Sequence, residues 1–179
     1  MPKVIEKVRE QLLEEVRREI ESRGYSKTTI RSVAEGCSIS VGTVYNYFRS
    51  KDELVASAVA EDWKVKTGKL SASLPASAEN TVRLVYEALS SFEDEHRALF
   101  TDEEAVKKFA SVFTEWHAVL RRQTAAFLLP VCRDAEDPEF LSLFLAEALL
   151  TWVTEGVPFE KLYSVMKKLI YKENDNEQL

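Results

Sequence analysis

Apolar residues recur at steps of three and four from one end of this chain to the other, and strict apolar–polar alternation is sustained nowhere. That period belongs to helices with one buried face, so a sheet-based fold is excluded before any motif is considered. Val4, Val8, Leu12, Leu13, Val16 and Ile20 set the pattern for a first helix over about 3–23, which Gly24 stops. A short second helix opens at Thr28 or Thr29 and ends near Gly36, and a third runs from Ser40 through Tyr47. Ser50-Lys51-Asp52-Glu53 has the form of a capping box and starts a fourth helix to about Lys69. The small, polar stretch 71–80, broken by Pro75, reads as a connection.

Beyond it the same reading gives four more helices. Val82, Val85, Tyr86, Leu89 and Phe92 mark the fifth; a second capping-box pattern at Thr101–Glu104 opens a long, aromatic sixth that reaches Pro130. Asp137-Pro138-Glu139 opens a seventh to Gly156, and Pro158 opens the last. The polar tail from Lys172 reads as frayed. The fold class is therefore all-α.

With 179 residues, 45% of them hydrophobic, the chain can bury a sizeable core in one domain or two small ones. No run of about 18 uncharged apolar residues is present, so no membrane partner is expected. Charges run throughout Met1–Arg23 where a signal peptide would be apolar, and Cys37 and Cys132 lack a metal-type spacing. Both features fit the cytoplasm. A net charge of −6 argues against a general nucleic-acid binder, but the charge is unevenly placed. Val16–Lys51 holds seven basic residues against three acidic, whereas Val55–Leu179 holds 14 against 21.

The basic region contains the segment "SISVGTVYNYFRSKDEL", Ser38–Leu54. Two short helices joined by a tight turn, 28–36 and 40–47, have the dimensions of a helix-turn-helix, whose second helix enters the major groove of DNA. Gly42 lets backbone approach a duplex, Thr43 can meet a base edge or a thymine methyl, and Tyr45 and Tyr47 can donate to phosphates. Lys51 sits at a helix N-terminus that also faces anions, and Arg31 can reach a phosphate or a guanine.

Residues Gly24–Leu54, "GYSKTTIRSVAEGCSISVGTVYNYFRSKDEL", resemble the DNA-binding domain of the tetracycline-repressor (TetR) family of bacterial regulators. The resemblance rests on Gly24, the Thr-Thr start of the second helix, Val33-Ala34, Ile39-Ser40, Gly42-Thr43, Tyr45-x-Tyr47-Phe48 and Ser50-Lys51-x-x-Leu54. It implies an N-terminal three-helix DNA-binding domain, residues 1–49, and a C-terminal helical domain, 50–179, that binds an effector and dimerises. It places Thr29, Arg31, Ser40, Val41, Gly42, Thr43, Tyr45, Tyr47 and Lys51 at double-stranded operator DNA. The chain departs from the family at Cys37, where a small Ala is usual, at Ser38, where the turn glycine is usual, and at Val41, where a polar or basic residue is common. Ser38 is expected to take the left-handed conformation, at about 1 kcal/mol.

In the C-terminal part, Tyr86, Phe92, Phe109, Phe113, Trp116 and His117 are either ordinary core or, as the resemblance implies, the lining of a pocket for an apolar or amphipathic small molecule. "FLSLFLAEALLTWV", Phe140–Val153, is apolar almost all round and carries only Glu147 as a charge. Such a helix needs cover on more than one side. Phe140, Phe144, Leu145, Leu149, Trp152, Met166, Leu169 and Ile170 are assigned jointly to the core and, by the resemblance, to a homodimer interface. No catalytic grouping, cofactor fingerprint or metal-ligand spacing is recognisable, so no enzyme, cofactor or metal is expected. The expected function is a ligand-responsive, dimeric transcriptional regulator, a repressor released by its effector from a near-palindromic operator. The alternative is a helical interaction or scaffold protein whose DNA-reading domain is vestigial.

Overall fold

A computed structural model of the chain describes residues 2–73 and 77–171, with no side chain described at 2–6, 73 and 110–114. Val4, Pro75, Phe113 and the polar tail 172–179 therefore lie outside the described residues or side chains. Among the described residues every regular element is helical.

Helix starts follow the groups available to receive their unpaired N–H donors. The helix α1 spans Pro2–Arg23 and ends at Gly24, whose φ of 80° is the left-handed value that glycine adopts without strain. Thr29 caps α2, Ile30–Gly36, by accepting from Ser32 N, and the Ser32 hydroxyl returns to the Thr29 N–H. Ser40 caps α3, Val41–Tyr45, by accepting from Thr43 N at 3.1 Å. That helix is shorter than expected, because Asn46 and Tyr47 close it with turn geometry. Ser50 caps α4, Lys51–Ser73, by accepting from Glu53 N, while the Glu53 carboxylate receives the Arg49 N–H at 2.7 Å, one residue outside the expected box.

Helix α4 runs on through Ser73 and α5 spans Ala78–Phe100, so most of the expected 71–80 connection is helical. Before α6, Glu103–Leu128, the cap is Asp102 rather than Thr101. The Asp102 Oδ1 accepts from both Glu104 N and Ala105 N, which a carboxylate does better than a hydroxyl. Leu129–Val131 is a single 3₁₀ turn. Asp137 caps α7, Pro138–Thr154, with Pro at its first position, and α8 covers Phe159–Ile170.

The chain divides into two compact units, 1–65 with 95–112, and 66–94 with 113–179. In the first, Leu12, Leu13 and Val16 of α1 meet Val33 and Ala34 of α2, Val44 and Phe48 at α3, and Leu54 and Val55 of α4, all fully or nearly buried. Each such aliphatic side chain contributes about 1.5–3 kcal/mol by leaving water. Glu19 is also buried, beneath the start of α2, and its carboxylate accepts from the Ser32 hydroxyl at 2.5 Å. Elsewhere in this unit the half-buried Arg17 donates to both oxygens of Asp62, at 2.8 and 2.7 Å, and His96 Nε2 lies 3.3 Å from Asp62 Oδ2. Burial of Asp62 works against its charge, but bonds from His96 and Arg17 outweigh it and hold the carboxyl below its ordinary range.

In the second unit Val82, Val85, Leu89 and Phe92 of α5 share the core with Leu145, Leu149 and Leu150 of α7 and Met166 and Ile170 of α8. Phe159 stacks on Tyr163 and meets Tyr86 edge-on, with centroids 5.3 and 5.5 Å apart, while the Arg83 guanidinium lies 3.9 Å over its ring. The Tyr86 hydroxyl donates to the Val157 carbonyl at 3.1 Å, which fixes the entry into α8.

Candidate nucleic-acid interface

The turn between α2 and α3 sets the site. Ser38 has a φ of 56°, the left-handed value expected from the sequence, and its N–H reaches Glu35 O while Ile39 N reaches Ala34 O, both at 3.0 Å. These bonds satisfy the last carbonyls of α2 and turn the chain sharply into the Ser40 cap. Gly36, just before the turn, lies against α1. A Cβ there would come 1.9 Å from Glu15 Oε1, and Arg18 Nε, 2.9 Å from Glu15 Oε2, helps to hold that carboxylate. Helix α3 thus has one buried anchor, Val44, and presents Gly42 and Tyr45 to solvent, with Val41, Thr43 and Tyr47 half-buried.

Thr29, Arg31, Val41, Tyr45 and Lys51 line one shallow, open cleft of about 630 Å³ together with Arg49. Ser40, Gly42, Thr43 and Tyr47 stand outside that cleft; Ser40 and Thr43 are engaged with each other, their hydroxyls 2.8 Å apart. Arg49 is absent from the sequence candidates, although a basic residue directly before a capping serine is the signal that could have found it. Lys51 is not a freely solvated cation. Its ammonium donates to Tyr25 O at 2.9 Å and lies 3.7 Å over the Tyr25 ring, and burial draws its pKa below the ordinary value. Tyr25 in turn donates to Asp52, packs edge-on against Phe109 at 5.5 Å, and sits next to Ser26, whose N–H and hydroxyl both reach the Asp102 carboxylate. The turn that precedes the supporting helix is held from two sides.

The remaining candidates are distributed as follows. Phe109 belongs to the first unit and is buried. Tyr86, Phe92, Trp116 and His117 belong to the second, where Phe92 is buried, Trp116 half-buried and His117 exposed, 3.7 Å from Glu147. On the same α6 stripe, Thr124 is fully buried and its hydroxyl has no hydrogen-bond partner among the described residues. Leu145, Leu149, Met166 and Ile170 are buried, whereas Phe140, Phe144, Trp152 and Leu169 are exposed and joined by Leu143, Val165 and Tyr171. Among the described residues no group of three His, Cys, Asp or Glu is placed to hold a metal ion.

A supporting helix, a tight turn and a short solvent-facing second helix, packed on α1 by one apolar core, make a helix-turn-helix DNA-binding unit. Residues 12–58, which hold this unit, match the model of the bacterial regulatory proteins of the tetR family. The fold of the chain is that of solved transcriptional regulators. The fatty acid degradation regulator FadR from Bacillus halodurans is 16% identical, with 93% of this chain and 96% of that one covered at a TM-score of 0.58. The TetR family repressor AlkX from Dietzia sp. strain DQ12-45-1b is 16% identical, with coverage of 90% and 98% and a TM-score of 0.60. A transcriptional regulator from Aquifex aeolicus VF5 is 21% identical, with coverage of 91% and 99% and a TM-score of 0.61. No curated protein matches the chain in sequence.

Proposed function

We propose that the protein is a homodimeric, ligand-responsive transcriptional repressor, with an operator-binding domain at 1–49 and an effector-binding and dimerising domain at 50–179. The observation that carries this reading is the α3 surface. A recognition helix with Val44 as its buried anchor offers Gly42, Thr43 and Tyr45 outward beside a cleft flanked by Arg31 and Arg49. Side chains of this kind read base edges and phosphates and have no use in the core.

The exposed apolar residues of α7 and α8 support a two-fold partner, since Phe140, Phe144, Trp152 and Leu169 leave in water what a second copy would cover. The unpartnered Thr124 hydroxyl supports an effector with one polar group on an apolar body, because a buried orphan costs about 1–3 kcal/mol unless something bonds it. FadR is a fatty acid degradation regulator and AlkX a repressor implicated in n-alkane biodegradation, which favours an apolar effector here too. No helix among the described residues is long and apolar enough to cross a membrane, and the proposed work on operator DNA belongs in the cytoplasm.

Selection of genomic fragments by the purified chain at physiological salt, followed by footprinting, tests the proposal. The expected result is a protected near-palindrome with half-sites one or two helical turns apart. Failure to enrich any site, with and without the chain's small-molecule binders, would sink it.

A further inference from the structure

The cleft beside α3 mixes hydrocarbon with positive charge, and no carboxylate lines it. Ile30 and Val41, both half-buried, share it with the exposed Tyr45, one helical turn after Val41. Arg31 and Arg49 are exposed there, and Lys51 is tied to Tyr25 O. On the first turn of α3 the polar side chains serve the cap. Ser40 Oγ accepts from Thr43 N at 3.1 Å and stands 2.8 Å from the Thr43 hydroxyl. Gly42 has no side chain, and Val44 is buried in the core. Val41 is thus the one side chain at the start of α3 that is neither capping the helix nor fully withdrawn from water.

We infer that the protein reads thymine through Val41, with the 5-methyl group of the base resting on the Val41 hydrocarbon in the major groove. This role rests on the operator-binding reading and sharpens it. In that groove every base pair shows donors and acceptors, but the thymine methyl is the one apolar group. A valine set against guanine, cytosine or adenine would dehydrate polar edges and bond none of them. Set against thymine, the same side chain removes hydrocarbon from water on both partners. Arg31 and Arg49, in the same cleft, supply charge for flanking phosphates, so the apolar contact does not have to carry the affinity.

Two pools of random duplexes, one amplified with thymidine and one with deoxyuridine triphosphate, are selected on the full chain at physiological salt. Deoxyuridine keeps every hydrogen-bonding atom of thymidine and lacks only the methyl. The thymidine pool is expected to yield a site with thymine in each half-site. Remaking that site with deoxyuridine, one base at a time, should weaken binding about fourfold at the thymine that Val41 meets. Val41→Ala should erase the difference at that base alone, and Val41→Gln should select adenine there instead, with both variants retaining the helical circular-dichroism signal. Selected half-sites without thymine, equal affinity for the thymidine and deoxyuridine forms, or an undiminished preference in both variants overturns the inference and leaves the operator-binding reading standing. Enrichment of no duplex from either pool removes both.

Discussion

The α3 surface and the outer face of α7 and α8 are both exposed, yet they solve opposite problems. Tyr45 is 54% exposed and shares its cleft with Arg31 and Arg49, groups that water satisfies and that a polar polymer would satisfy equally. Phe140 is 65% exposed and Phe144 52%, and α7 and α8 also leave Leu143, Trp152, Val165 and Leu169 exposed, side chains that water serves badly. Exposure alone therefore says little, whereas the chemistry of the exposed patch separates a surface waiting for a charged partner from one that requires an apolar match.

The strongest way to break this contrast is to make the second face resemble the first. Phe144→Asp combined with Trp152→Asp should abolish dimerisation. Loss of two central aromatics costs about 4 kcal/mol or more, roughly a thousandfold in dissociation constant, and light scattering should report one subunit instead of two. A wild-type chain already monomeric at micromolar concentration would remove the contrast altogether.

On the α3 side, Arg31→Ala or Tyr45→Ala should cost about 1–3 kcal/mol of operator binding and leave the thermal midpoint unchanged. Lys51→Ala should behave differently, because its ammonium bonds Tyr25 O. A stability loss of about 1–2 kcal/mol is expected with the loss of affinity, and an unchanged melting curve would show that the charge is free after all.

A smaller effect concerns Asp62, whose carboxyl is held below its ordinary value of 3.8. A depressed carboxylate stabilises the fold in full above that value and loses its contribution as the pH falls below it. Asp62→Asn should thus be less stable than wild type at neutral pH, with the gap closing in acid; a constant gap in urea midpoints down to about pH 2.5 would contradict the assignment. Smallest of all, Ser38→Gly should relieve the left-handed turn and gain up to about 1 kcal/mol, or 2–4 °C in melting temperature.

Much of this was legible in the sequence for a physical reason: helix periodicity and capping chemistry are local. Thr29, Ser40, Ser50 and Asp137 cap the helices they were expected to cap, and Ser38 takes the conformation that its place in the turn requires. Thr101 misled because Asp102, a stronger acceptor one residue later, was equally available. The division of α7 into buried Leu145 and Leu149 and exposed Phe140, Phe144 and Trp152 was illegible, since a helix apolar almost all round has no polar face to orient it. The engagement of Lys51 with Tyr25 and the bonding of Asp62 by Arg17 were hidden too, because each joins residues distant along the chain.

That distance has one more consequence, in the order of events on the ribosome. The helices proposed to read DNA occupy the first fifty residues or so, yet the turn ahead of α2 is gripped by Asp102 and by the ring of Phe109. At about 5–20 residues per second, Phe109 is joined to the chain roughly 4–17 s after Tyr25. Until then the reading head can form its own small core but lacks part of the frame that fixes its entry turn. A nascent chain truncated before Asp102 should show the helix-turn-helix with a looser start to α2, and completion of α6 should be the event that tightens it.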